Sequence, residues 1–116
     1  MLRVSSQMTG TEVDVAAVNG AAHADAGVEQ GRYLLAFTEA VMRGAPAPAE
    51  RERLQAVLSP QGFVDVAAVI GSFNVVDRIA DATGIPLDAV MRAMSQEVRE
   101  QLNLARFASA ANTPAD

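Results

Sequence analysis

No cysteine occurs among the 116 residues. That absence removes disulfides, thiolate zinc sites and thiol nucleophiles together. Tryptophan is also missing, and one tyrosine and four phenylalanines are the only aromatic residues. The core must therefore be filled by alanine, valine, leucine and methionine, a composition that favours closely packed helices. There is no lysine. Nine scattered arginines face fourteen acids for a net charge of −5, so no basic stripe exists to neutralise phosphates and nucleic acid is not expected as a partner. A single histidine cannot build a histidine-based metal site, and neither metal nor cofactor is expected. The longest apolar run, from Val66 to Gly71, is too short to span a bilayer, and the first ten residues lack the apolar centre of a signal peptide. These features predict a cytoplasmic protein with no membrane partner.

What is present is apolar and helical in pattern. Half of the residues are hydrophobic, enough for one core, so a single domain over 1–116 is expected. Few runs combine β-branched and aromatic residues in strict alternation, which argues against strand. The segment Thr11 to Ala26 reads as an alanine- and valine-rich helix weakened at Asn19 and Gly20. Tyr33, Leu34, Phe37, Ala40 and Val41 recur at helical spacing until Gly44, a C-cap signal. Pro46 and Pro48 predict an extended linker over Ala45 to Ala49, and Glu50 to Leu58 a short helix with a solvated charged start.

Ser59 followed by Pro60 signals the start of a long helix, ended by Gly84 and Pro86. From Phe63 through Ala82 it is apolar on almost every side, which predicts a buried helix. A last amphipathic helix carries Leu87, Met91, Met94, Val98, Leu102 and Ala105 on its stripe, with Asp88 placed to cap it and Arg92, Gln96, Arg99, Glu100 and Asn103 on its other faces. The tail from Asn112 to Asp116 is expected to lack structure.

Three stretches resemble the alkylhydroperoxidase and carboxymuconolactone decarboxylase superfamily: LLAFTEAVMRG from Leu34 to Gly44, Leu58-Ser59-Pro60-Gln61-Gly62, and FNVVDRIADATGIPLD from Phe73 to Asp88. Phe73, Asn74, Arg78, Gly84, Ile85 and Pro86 carry the most specific match. The resemblance implies an all-α fold of about five helices in an oligomeric assembly. Residues 33–88 match best, 1–32 form a divergent or shortened N-terminal part, and 89–110 form the C-terminal helix.

Upstream, Ser6-Gln7-Met8-Thr9-Gly10 looks like the approach to the family's Cys-x-x-Cys helix. Aligned on Gly10, Thr11 and Asp14 stand at the cysteine positions and Val18 at the histidine position. Aligned backward from Ala26-Gly27, Glu12, Val15 and Asn19 do. Neither register restores a redox centre, so the thiol peroxidase chemistry that the resemblance implies is excluded unless another chain supplies the thiols.

The chemistry left open is general acid and base work of lyase, isomerase or cyclase type on a small, largely apolar oxygenated molecule, without cofactor. Asp14, His23 and Glu12 are its candidate catalytic groups, and Asn74, Asp77, Arg78, Tyr33 and Glu39 its candidate substrate-binding groups. Glu12 and Asp14 also read as acids complementing the first turn of a helix, and His23 as a surface residue. Asn74, Asp77 and Arg78 share one side of the long helix, where they suit either a structural ion-pair network or a ligand carboxylate. The apolar surface exceeds what helices of this size hide, so a homo-oligomer is expected. The alternative to an enzyme is a non-catalytic homo-oligomeric scaffold or small-molecule binding protein of the same superfamily.

Overall fold

The computed structural model describes residues 6, 8–19 and 26–113. Among them there is no strand. From residue 10 on, the described residues form four α-helices, α1 (Gly31–Met42), α2 (Pro48–Gln55), α3 (Pro60–Thr83) and α4 (Ala89–Gln101), with 3-10 turns at Val15–Asn19, Leu104–Arg106 and Ala108–Asn112. No described helix is long and apolar enough to cross a membrane. The chain divides into two compact units, Met1–Gly71 and Ser72–Asp116.

Local chemistry sets the helix boundaries. Gly44 adopts φ +66° beyond the end of α1, and the Ala45 amide bonds back to the Ala40 carbonyl at 3.1 Å, so glycine satisfies the last free carbonyls in a left-handed turn that an L side chain resists. The expected linker ends earlier than its prolines suggested. Pro48 opens α2 at a first-turn position, where its missing N–H would have had no helical partner.

Ser59 does cap α3. Its Oγ accepts from the Gly62 amide at 3.0 Å, and Pro60 follows as the first helical residue. Ser59→Ala is expected to cost about 1 kcal/mol, read as a lower urea midpoint for the first unit. An unchanged midpoint would remove the cap from the account. The other end of α3 closes on Gly84, φ +66°, with the Ile85 amide bonded to the Ala80 carbonyl at 3.2 Å.

In the first unit, Phe37 of α1, Leu54 of α2 and Ile70 of α3 form the buried core, with Tyr33, Leu34, Leu58, Phe63 and Val66 packed around them. The Phe37 and Phe63 rings meet at 5.4 Å between centroids with a 51° tilt, a favourable aromatic arrangement. α2 contributes one buried residue, Leu54, while its charged positions Arg51, Glu52 and Arg53 face solvent.

In the second unit, α4 starts at Asp88, whose Oδ1 accepts from the Met91 amide at 2.8 Å. It stops short of the expected Ala105, because Asn103 turns into the left-handed region, φ 49°, as asparagine does more readily than most residues. The tail also departs from expectation. Asn112 completes a 3-10 turn, and the Thr113 hydroxyl accepts from the Leu87 amide at 2.8 Å, which ties the chain back across 26 residues. Residues 114–116 lie outside the described residues.

Two further expectations are corrected. The helix predicted over Thr11 to Ala26 is, where described, a stretch without regular secondary structure followed by the Val15–Asn19 3-10 turn. Asp14 Oδ1 takes the Ala16 amide at 2.9 Å, a short-range bond that competes with helical hydrogen bonding. The long helix α3 is not buried along its length, since Val64 and Val69 in the first unit and Phe73, Val75, Val76 and Ile79 in the second are all more than half exposed.

Candidate functional site

The predicted residues fall into separate places. Glu12 and Asp14 are exposed and both line an open hollow of about 660 Å³, with Ser6, Thr11 and Gly27. The hollow is held by the Asp14 amide on the Ala26 carbonyl at 3.0 Å and the Thr11 amide on the Ser6 carbonyl at 3.0 Å. Gly27 permits this closure: its φ is +76°, and a Cβ there would stand 1.8 Å from the Glu12 carbonyl oxygen, a distance no side chain tolerates. His23 lies outside the described residues. Asp14 uses one carboxylate oxygen to accept from the Ala16 amide, and open solvent weakens any electrostatic work by either acid.

Tyr33 and Glu39 both stand on α1 but serve different surroundings. The half-buried Tyr33 packs against the core, while its hydroxyl accepts from Arg32 Nη2 at 3.0 Å and its ring lies 4.7 Å from the same guanidinium. Glu39 is exposed and pairs with Arg43 at 3.0 Å, an i, i+4 surface pair worth at most about 0.5 kcal/mol. They are not brought into one pocket by α1.

Asn74, Asp77 and Arg78 do share one side of α3, and Arg78 Nε donates to Asn74 Oδ1. That side was expected to be buried, yet Asp77 and Arg78 are exposed. The reason is visible in the heptad Phe63, Ile70, Asp77. Phe63 and Ile70 pack in the core of the first unit, and the same azimuth turns charged after Gly71, continuing through Asp81. In the second unit α3 is thus divided lengthwise. Phe73, Val75, Val76 and Ile79, between 54% and 64% exposed, occupy about half of its circumference at 100° per residue, and Asn74, Asp77, Arg78 and Asp81 occupy the other half.

Residues that the sequence does not mark as site candidates line a groove of about 800 Å³ within the second unit. Ile85, Leu87, Leu104 and Phe107 supply its apolar surface, and Arg99 and Glu100 lie among its polar groups. Glu100 accepts from the Gln96 side-chain amide at 2.9 Å. Arg99 runs back along α4 to donate from Nη2 to the Arg92 carbonyl at 3.3 Å, a long bond. Its Nε is shielded from solvent and has no hydrogen-bond partner, and the Ser95 hydroxyl one turn earlier is in the same condition. The i, i+4 spacing of Ser95 and Arg99 beside the apolar stripe was the available signal. It is weak, because arginine stems often lie along apolar surface with no other role.

Among the described residues no three His, Cys, Asp or Glu side chains converge as metal ligands. No protein-family model, curated protein or solved structure matches this chain.

Proposed function

We propose that this chain is a thiol-free relative of the alkylhydroperoxidase and carboxymuconolactone decarboxylase superfamily that acts as a cytoplasmic homo-oligomeric scaffold or small-molecule binding protein. The observation that supports self-association is the apolar half of α3 in the second unit, where Phe73, Val75, Val76 and Ile79 remain open to solvent. Burying such side chains fully is worth about 1.5–3 kcal/mol each, so leaving four more than half exposed forgoes on the order of 4 kcal/mol. That is a large fraction of the stability of a domain this small. A second copy of the same surface recovers it symmetrically.

The acid–base enzyme reading has less support. Glu12 and Asp14 do line one hollow, but both are exposed, and proton transfer in catalysis gains from sites that exclude water.

Sedimentation velocity over a wide concentration range tests self-association. The expected result is a species at a multiple of the 12.1 kDa chain mass. A chain that sediments at 12.1 kDa up to its solubility limit overturns the proposal.

A further inference from the structure

We infer that the groove of the second unit binds a small organic monocarboxylate with an apolar body, and that Arg99 is the group that receives its carboxylate. A volume of about 800 Å³ lies within the range of small-molecule sites. Ile85, Leu87, Leu104 and Phe107 offer an apolar part of the lining for the body of a ligand, beside polar residues that include Gln96, Arg99 and Asn103. Arg99 brings a cation to this lining with an unmatched donor, since Nε is buried without a partner. A buried N–H in that condition is destabilising, and an acceptor arriving with the ligand satisfies it.

The guanidinium is weakly committed elsewhere. Its bond to the Arg92 carbonyl is 3.3 Å long, so the planar fork can turn onto a carboxylate and bind it with two donors. The charge of the ligand is limited by the same lining. Asp81 and Glu100 are also there, and a second anionic group would face them without a cation of its own. One carboxylate on an apolar body fits; a dicarboxylate or a phosphate fits poorly. This inference goes beyond self-association, which sedimentation reads separately.

The test is isothermal titration of the full chain with 1-naphthaleneacetate, the uncharged 1-naphthaleneacetamide, and a naphthalenedicarboxylate. The acid is expected to bind at least about tenfold tighter than the amide, as a charge-assisted bond to arginine provides, and tighter than the dicarboxylate. Arg99→Gln should bring acid and amide to equal affinity. Ala105→Trp, which places an indole in the groove and leaves Arg99 intact, should abolish binding of the acid, so the idea does not depend on the folding of one variant. Far-UV circular dichroism verifies that both variants retain their helices. Equal binding of acid and amide, an acid preference that survives Arg99→Gln, undiminished binding by Ala105→Trp, or no binding of the acid at all would each overturn the assignment. Adsorption to the apolar half of α3 would give the first of these patterns or the third.

Discussion

Leu54→Ala is expected to lower the stability of the first unit by about 2–5 kcal/mol, the usual cost of deleting a fully buried leucine. Leu54 is 0% exposed, the one large side chain enclosed to that degree among the described residues, and it shares one buried cluster with Phe37 and Ile70. Its weight comes from the helix that carries it. α2 reads PAERERLQ and buries nothing else, so Leu54 is the main attachment of that helix to the core. The whole chain, at 0.05–0.15 kcal/mol per residue, has about 6–17 kcal/mol to lose. The substitution therefore removes a substantial share.

Urea unfolding followed by circular dichroism should show the midpoint fall, and hydrogen exchange should show the α2 amides losing protection before those of α1. Leu54→Met, which conserves volume, should cost under about 1.5 kcal/mol. A loss below about 1 kcal/mol for Leu54→Ala would mean that the core as described does not hold α2.

How much of this was legible in the sequence depended on the range of the interaction involved. Ser59 and Asp88 were read as caps and Gly44 and Gly84 as helix ends, because each acts on amides or carbonyls within a few residues of itself. Pro48 was misread as linker because a proline at the first helical position and a proline in an extended segment look alike until the following residues are known to be helical. Asp14 hid a similar ambiguity. An aspartate before an alanine-rich run serves a helix dipole or an extended turn equally well, and here its carboxylate takes the Ala16 amide.

The larger miss was α3. Its apolar composition was read as burial on all sides, but composition does not reveal where the chain runs out of partners. Phe63 and Ile70 find α1 and α2 to pack against, whereas Asp77 on the same azimuth is exposed. The polar trio was thus placed on one side correctly and its surroundings were not. Arg99 escaped because its unmatched Nε is a property of the folded neighbourhood, which its i, i+4 spacing from Ser95 signals only weakly.

If the chain self-associates as proposed, the double substitution Val76→Asp with Ile79→Asp should convert the oligomer to a monomer. The two residues are three apart on α3, 61% and 54% exposed, and lie at the centre of its apolar half in the second unit. In an isologous contact each substitution acts on both protomers. An unpaired charge held in an apolar contact costs about 3–5 kcal/mol, and each 1.4 kcal/mol is a factor of ten. Dissociation should therefore strengthen by at least about a thousandfold, and the variant should sediment at 12.1 kDa. Because both side chains already face solvent within the chain, its helicity should be unchanged, which separates disassembly from unfolding. Asp77→Asn with Arg78→Gln, on the opposite half of the same helix, is the matched control and should leave the assembly intact. If the control dissociates the oligomer and the apolar substitutions do not, the contact runs through the polar half of α3. The ion-pair network first expected for Arg78 would then be the interface.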